Sequence, residues 1–510
     1  MDQPKEKIAN LFYCFECIFK FAFLTLALLS FNNLFAGSFA LKIFSLFVAL
    51  FGSVIVFYRL LNVKKYIKFY AFPLLILFSL SYTVSSLVNI KYGIVENIQA
   101  LVWMIFHFSI LYTSDTTRPA DKEQKVFWGL LKYFLFYIAI SNIVSIAMLI
   151  TGFGRTFFNS FNGNLMGFIW GRLWGIYTDP NTASILCVAS IFISLYFLFK
   201  TTHKWNKVLM ILNILLSLCY ISFSDSRTGL VCFVFSLFVC SYIFFKNTSK
   251  IKLKTCLKQL TAIACAFIIA TSGLMSINGI KSGYNALIRI SSDSDSSSLK
   301  DDNESSKENI TDSSVESTTS SSAESTTSSS PESTTNSSLE STTETPSDNT
   351  VGRTGNELDG DISNRRFSLW KSGIEIWKKS PVLGTSHRNL ISFALDKTPD
   401  TYLVNNDRAG YFDTTHNSYI DILISQGIVG AVIFAIIFIL IIVLIFKKMI
   451  FTNNYSYCTA ENLLLVGLLL AFASSAAFIL EIVYINSAGA FIFWLSLGRL
   501  VKKLKENNNG

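Results

Sequence analysis

The chain has 510 residues, of which 51% are hydrophobic, 15% aromatic and only 15% charged. Soluble domains contain about one quarter charged residues, so this composition argues against a soluble enzyme and favours a polytopic membrane protein. The formal net charge of +9 is unevenly distributed. Residues 291–350 contain thirteen acidic and two basic side chains, a net charge of −11, which leaves +20 for the rest of the chain.

Apolar runs in the sequence are long enough to cross a bilayer as helices of about 17–25 residues. The pattern predicts an all-α polytopic fold with about 12 transmembrane helices, one for each run. The predicted spans lie near residues 12–31, 39–58, 69–89, 94–112, 127–150, 179–199, 208–223, 228–245, 260–278, 420–446, 462–480 and 484–498.

The distribution of Lys and Arg predicts the orientation of these spans. With both termini in the cytoplasm, 23 basic residues fall in cytoplasmic segments and only five in the short outer loops: Lys42, Lys91, Arg155, Arg172 and Arg227. This asymmetry follows the positive-inside rule. We therefore expect a multi-pass protein of the cytoplasmic membrane, with a membrane domain at 1–278, a large extracytoplasmic loop at 279–417, and a second membrane domain with a cytoplasmic tail at 418–510.

The large loop divides into two parts of different composition. Residues 291–350 are rich in Ser, Thr, Asp and Glu, and a Glu-Ser-Thr-Thr unit begins every eight residues at Glu316, Glu324, Glu332 and Glu340. Such a segment buries too little apolar surface to fold, so we expect disorder. A solvated spacer is the favoured interpretation, and a segment that contacts glycan or cell wall is the alternative.

The pattern of residues 362–398 is different. It predicts one amphipathic helix that ends at a turn containing Ser-Pro and Gly. We expect this helix to form a folded cap over the outer face. The nine Cys are scattered along the chain and indicate neither a zinc site nor a disulfide scaffold. No nucleotide-binding loop or metalloprotease motif is present, and we expect no metal, no cofactor and no nucleic-acid partner.

Chemistry on the outer face would need an activated substrate that has been flipped across the membrane, because ATP and nucleotide sugars are absent there. Lipid diphosphates meet this need. Arg binds their phosphate oxygens bidentately and stays charged. Arg172 precedes an Asp-Pro-Asn turn that opens the sixth span, and Arg227 lies in a tight turn between two spans. Each of these arginines is also compatible with a role as an interfacial anchor.

Of the four His in the chain, His416 has the most suggestive position, where the large loop re-enters the membrane. An imidazole has an unperturbed pKa of about 6.5 and can act as a general base near neutral pH. His387 follows the Pro-Val-Leu-Gly turn and is ambiguous. For His107 and His203 we expect packing or surface roles.

Four stretches, in order, resemble the O-antigen ligase and Wzy-type polysaccharide polymerase family of bacterial membrane proteins. They are GRLWGIYTDPNTASI (171–185), SDSRTGL (224–230), NRRFSLWKSGIEIWKKSPVLGTS (364–386) and THNSYIDILISQGIVG (415–430). The third has an Arg, a Trp four residues later and a Pro-x-x-Gly turn, and the fourth has His-Asn followed by Gly-x-x-Gly. The resemblance covers roughly residues 165–446, and the acidic insert departs from the family pattern.

The resemblance implies a GT-C-like architecture and an inverting, metal-independent glycosyl transfer from an undecaprenyl-diphosphate-linked glycan. It implies that Arg172 and Arg227 bind the diphosphate. It also implies two catalytic residues, Arg366, which would close over the diphosphate or the adjacent sugar, and His416, which would activate the attacking hydroxyl of the acceptor.

Within that family, the Lys-, Asn- and Phe-rich composition and the long Ser/Thr segment suggest a Gram-positive source without a lipid A-core. We therefore favour a polymerase of capsular or exopolysaccharide repeat units, with a chain-length regulator and a flippase as partners. Three alternatives stay open: ligase-type transfer of glycan to a lipid or protein acceptor, a lipid-linked oligosaccharide flippase, and a sensor or scaffold that uses the large loop for binding alone.

Overall fold

The computed structural model describes most of the chain, and every structural statement below concerns the residues it describes. These are residues 3–114, 118, 120–159, 162–248, 255–301, 350–352, 365–406, 410–451, 457–480 and 482–506. The chain forms two compact units, one of residues 1–281 with 351–510 and one of residues 282–350. In the second unit, the described backbone from 282 to 301 is helical.

Helices make up most of the described structure. The fourteen α-helices found there are α1 (Gln3–Ser30), α2 (Phe39–Leu61), α3 (Phe72–Val88), α4 (Val95–Phe106), α5 (Ala120–Ile150), α6 (Pro180–Lys200), α7 (Lys204–Phe223), α8 (Arg227–Thr248), α9 (Thr255–Asp301), α10 (Arg366–Trp377), α11 (Leu390–Lys397), α12 (Ser418–Ile445), α13 (Ala460–Ser475) and α14 (Ala488–Glu506). Short π-helical segments continue α4 to Tyr112 and α12 to Ile450.

Nine helical segments of the described chain are long and apolar enough to cross a membrane. They are Asn10–Ser30, Phe39–Leu61, Val95–Tyr112, Asp121–Ile150, Pro180–Lys200, Lys204–Phe223, Arg227–Asn247, Gln259–Ile290 and Ser418–Ile450. The expected all-helical, polytopic class of protein is therefore confirmed at this level, whereas the sequence predicted about twelve spans.

The other three predicted spans correspond to helices that do not meet these criteria. Helices α3 and α13 are apolar but have only 17 and 16 residues. Helix α14 starts at Ala488, later than predicted, and its last turns carry Arg499 and three lysines. Residues 482–484 before it are buried although they are not helical. Non-helical backbone is tolerated at membrane depth where protein covers it, so an apolar run alone does not define the ends of a helix.

A three-stranded antiparallel sheet lies between α5 and α6 in the chain. The sequence did not predict this sheet. Its strands are β1 (Gly154–Asn159), β2 (Asn162–Ile169) and β3 (Arg172–Gly175), in that spatial order. A two-residue turn joins β2 to β3, and both of its residues, Trp170 and Gly171, have positive φ. This is the backbone that a tight type I′ hairpin requires, and it places Arg172 at the start of β3.

Two further expectations about the large loop can be compared with the structure. The amphipathic helix predicted to end at a turn within 362–398 corresponds to α10, which ends at Trp377, and a second helix, α11, follows the turn and a short 3₁₀ segment (His387–Asn389) and was not predicted. Helix α9 extends to Asp301, into the segment 291–350 predicted to be disordered. Adding residues to an existing helix avoids the cost of nucleation. Residues 302–349, with the Glu-Ser-Thr-Thr repeats, and residues 362–364 lie outside the described residues.

Polar caps fix where several helices begin. The Asp179 side chain accepts hydrogen bonds from the backbone N–H groups of Asn181 and Thr182 at the start of α6, and Pro180 occupies the first turn. Asn417 caps α12 in the same way. These side chains satisfy amide groups that have no partner within the helix, so the chain enters α6 and α12 at defined points.

Candidate active site

The site begins with Arg172 at the start of β3. Its Nε donates to the carbonyl oxygen of Ser224 at 2.9 Å, and its Nη2 donates to Oδ1 of Asn181 at 3.2 Å. Ser226 Oγ also donates to Asn181 Oδ1, at 3.1 Å. Asn181 therefore joins the strand, the first turn of α6 and the turn between α7 and α8.

The turn between α7 and α8 contains the second predicted phosphate-binding residue. Arg227 is the first residue of α8 and is exposed. Asp225, just before it, has φ 47° and forms an ion pair with Lys281 of α9, with 2.7 Å between Oδ1 and Nζ. The ion pair therefore connects α9 to this turn, which directly precedes α8.

Arg366, at the start of α10, reaches the same turn. Its Nη2 lies 3.4 Å from Oγ1 of Thr228, and its guanidinium carbon lies 5.5 Å from the ring centre of Phe478. Further along α10, a Cβ on Gly373 would lie 2.8 Å from Thr415 Cγ2. Because Gly373 has no side chain, α10 can pack closely against the loop that precedes α12.

His416 lies in that loop, directly before the Asn417 cap of α12. Its φ of 53° is in the left-handed region, which non-glycine residues seldom adopt. The backbone N–H of His416 donates to Oγ1 of Thr414 at 3.1 Å. The imidazole is exposed, and its ring centre lies 6.2 Å from that of Phe412 in an edge-on arrangement.

A pocket of about 140 Å³ lies where these elements meet. It is lined by Asp179, Asn181, Arg365, Arg366, Leu369, Phe412, His416, Phe478 and Ile479. Two of the predicted site residues, Arg366 and His416, are therefore brought together. Arg172 is linked to the pocket through Asn181. Arg227 is not among the described residues that line it, although Thr228 beside it contacts Arg366.

The charges around this pocket suit a particular kind of substrate. Two arginines, Arg365 and Arg366, line a cavity that also has apolar walls from Phe412 and Phe478. Guanidinium groups bind phosphate oxygens, and an imidazole nitrogen can accept a proton. The lining residues are therefore suited to an anion beside an apolar group, with a proton acceptor next to it.

The loop between α10 and α11 holds the pocket's supporting helix in place. Helix α12 breaks at Gly427, where φ is 60° and ψ −162°. The turn at 381–386 supplies hydrogen bonds at the break: Thr385 N donates to Ile424 O at 2.8 Å, and Ile428 N donates to Pro381 O at 2.8 Å. The Pro-x-x-Gly turn and the Gly-x-x-Gly segment thus form one structural unit.

His387 supports this unit and does not line the pocket. Its ring stacks on Tyr484 with 4.7 Å between ring centres, and only 2% of its surface is exposed. Burial, together with the charge of Arg388, lowers the pKa of His387 to about 3. His387 is therefore neutral near pH 7, and the sequence analysis had left its role open.

Residues 212–435 match the family model described as O-antigen ligase. The match covers a little under half of the chain and agrees with an O-antigen ligase or Wzy-type family. The resemblance stated from the sequence is therefore confirmed. No curated protein matches the chain. The family points to membrane glycan processing of the ligase or polymerase type.

The matched residues, 212–435, include three of the four predicted site residues, namely Arg227, Arg366 and His416, while Arg172 precedes them. The structure adds residues that the sequence analysis did not assign to the site. Asn181 and Thr228 carry no charge that would mark them, and Arg365 was quoted within a motif without a role. Within the described part of the chain, no group of three or more His, Cys, Asp and Glu side chains is arranged to hold a metal ion.

Proposed function

We propose that this pocket transfers a glycan from an undecaprenyl-diphosphate carrier to a hydroxyl acceptor, and that the product is a polymer of capsular or exopolysaccharide repeat units. The observation that carries the proposal is the joint lining of one cavity by Arg366 and His416. The match of residues 212–435 to the O-antigen ligase model supports the same class of reaction.

In the proposed step, the acceptor hydroxyl oxygen attacks the anomeric carbon of the donor, and its proton passes to the imidazole of His416. The bond from that carbon to the diphosphate oxygen breaks, and its electron pair leaves with the diphosphate. Attack opposite to the leaving group inverts the anomeric configuration. Arg366, Arg172 and Arg227 stabilise the charge that develops on the diphosphate, so we propose a metal-independent reaction.

We also propose that the pocket faces the outside of the cytoplasmic membrane and that both termini are cytoplasmic. Contacts between distant segments support two opposite ends of the helical bundle. Thr178 N donates to Phe31 O near the pocket, whereas Lys502 forms an ion pair with Glu123 in the basic region assigned to the cytoplasm. The positive-inside rule favours the second end as cytoplasmic.

We propose that α3, α13 and α14 also cross the membrane. Together with the nine long helices they give twelve spans in a GT-C-like arrangement. Short helices can span where the bilayer thins or neighbouring protein covers their ends. A chain-length regulator and a flippase are the proposed partners, because polymer length and the supply of flipped donor both require them.

Ligase-type transfer is the second candidate, since the matched family model is described as O-antigen ligase. In vitro products separate the two reactions. Purified protein supplied only with undecaprenyl-diphosphate-linked repeat units gives a ladder of lengths if it is a polymerase. A ligase gives no ladder under these conditions and transfers a preassembled glycan only when its own acceptor is added.

The site is tested by Ala substitutions at Arg172, Arg227, Arg366 and His416, with product measured by gel electrophoresis and mass spectrometry. We expect losses of about 100-fold at Arg366 and His416 and smaller losses at Arg172 and Arg227. Arg155→Ala, on the same sheet as Arg172, and Lys371→Ala, on the exposed side of α10, are matched controls that should keep activity. Full activity in all four site variants contradicts the proposal, and loss of donor translocation instead favours the flippase.

A further inference from the structure

Asp421 is a buried carboxylate close to the pocket that the proposed reaction does not use. It lies in the first turn of α12, and only 2% of its surface is exposed. Its Oδ2 is buried and has no hydrogen-bond partner among the described residues. A buried polar atom without a partner costs free energy, so the position of this carboxylate calls for a physical reason.

The other oxygen of the Asp421 side chain has hydrogen-bond partners. Asp421 Oδ1 accepts two hydrogen bonds from one residue, from Thr415 N at 2.9 Å and from Thr415 Oγ1 at 2.7 Å. Thr415 is completely buried and immediately precedes His416. The two hydrogen bonds hold both the backbone and the side chain of Thr415, so Asp421 fixes the residue directly before His416.

The loop needs such restraint because of its backbone. His416 has φ 53°, a strained conformation that a non-glycine residue keeps only where the surrounding structure holds it there. Thr414 Oγ1 accepts from His416 N on one side, and Asn417 caps α12 on the other. Asp421 completes this set of restraints through Thr415.

We propose that Asp421 is a positioning residue that holds His416 at the mouth of the pocket through Thr415. This inference rests on the proposed role of His416 in proton transfer. The alternative is that Asp421 only stabilises the start of α12, as acidic residues in a first helical turn often do. The two roles differ in what they change. Positioning affects turnover, whereas helix stabilisation affects the folded fraction.

The test uses substitutions that remove the hydrogen bonds. Asp421→Ala removes both acceptor oxygens, and Thr415→Val removes one donor and keeps the shape. Thr415→Ser retains that donor, and Asp413→Asn changes an exposed carboxylate of the same loop. Purified variants are compared for kcat, for the KM of the lipid-diphosphate donor and for the thermal midpoint in detergent.

If Asp421 positions His416, Asp421→Ala and Thr415→Val lower kcat by about 10- to 100-fold with the donor KM unchanged. Thr415→Ser and Asp413→Asn keep turnover near the wild-type value. The double variant Asp421→Ala/Thr415→Val is no slower than the worse single variant, because both act through the same contact.

Wild-type kcat in Asp421→Ala, or a loss that only follows the folded fraction, overturns the positioning role. His416→Ala separates this failure from that of the proposed function. If His416→Ala is inactive while Asp421→Ala is fully active, only the positioning role fails. If His416→Ala turns over normally, the catalytic assignment of His416 fails and the positioning role fails with it.

Discussion

Gly384 and Gly427 lie against each other where α12 breaks, and neither position can accept a side chain. A Cβ on Gly384 would collide with the carbonyl oxygen of Ile424 and approach the backbone nitrogen of Gly427. A Cβ on Gly427 would collide with the carbonyl group of Val382. Both glycines also have positive φ, 73° and 60°. The break in the helix therefore depends on close backbone contact between α12 and the turn that contains Gly384.

Replacing Gly427 with Ala should destabilise the protein by about 2 kcal/mol or more, because the new methyl group meets backbone that cannot move away and the φ/ψ combination is strained. The thermal midpoint of the purified protein in detergent measures this effect. Gly279→Ala is the matched control, since nothing lies within 4 Å of a Cβ there. A helical Ala should be neutral or stabilising by up to about 1 kcal/mol. Equal midpoints for the two variants would contradict the prediction.

The sequence predicted the parts of this break but not their relationship. The Pro-x-x-Gly turn at 381–384 and the apolar run at 420–446 were each predicted correctly as a turn and a helix. That the turn supplies hydrogen bonds to the broken helix could not be predicted, because the pairing joins residues far apart in the chain. The local sequence pattern indicates periodicity and turn-forming residues. It does not indicate which backbone groups of distant segments form hydrogen bonds with each other.

The candidate site shows the same limit. Charge and motif context singled out Arg366 and His416, and both line the pocket. Asn181 was not predicted as a site residue, because an amide side chain next to a helix cap is expected to take part in capping the helix. The sheet that carries Arg172 was missed because its short strands lie between strongly apolar helices, and its Trp170-Gly171 turn is not a common hairpin signal.

Asn181 provides a second prediction, since its Oδ1 accepts hydrogen bonds from Arg172 and Ser226. Asn181→Asp places a negative charge beside the guanidinium and competes with a diphosphate for it. We expect the KM for the donor to rise about tenfold with a smaller change in kcat. Asn206→Asp, an exposed site after α6, should leave both constants unchanged. A lower kcat at constant KM would show that Asn181 acts on the chemical step instead.

The flanks of the acidic segment provide a third prediction. Gly352 N donates to Gly171 O at 2.9 Å, and a Cβ on Gly352 would lie 3.9 Å from Nζ of Lys281. Because Lys281 and Gly352 lie near each other in the same compact unit, we expect that the residues between them are not needed to close the chain around the pocket. Replacing 295–345 by a short Gly/Ser linker should leave product yield and chain length unchanged.

A longer deletion serves as the contrast for this experiment. Removing residues 295–352 also removes the Gly352 contact with the β2–β3 turn, and we expect lower activity from that variant. Glycan length in cells and product yield in vitro are the measurements. Loss of polymer in the shorter deletion would refute the spacer interpretation and favour the alternative in which the repeats contact glycan or cell wall.

His387 predicts how stability depends on pH. Burial lowers the pKa of its imidazole to about 3, against about 6.5 in an unfolded chain. Below about pH 6.5 the unfolded state binds a proton that the folded state excludes, so this contribution to stability is complete above pH 6.5 and falls as the pH drops towards 3. His387→Phe keeps a ring against Tyr484 and cannot titrate, so the thermal midpoint of this variant should fall less steeply between pH 7 and pH 5. The exposed His203→Gln should keep the wild-type slope, and equal slopes for all three proteins would contradict the assignment.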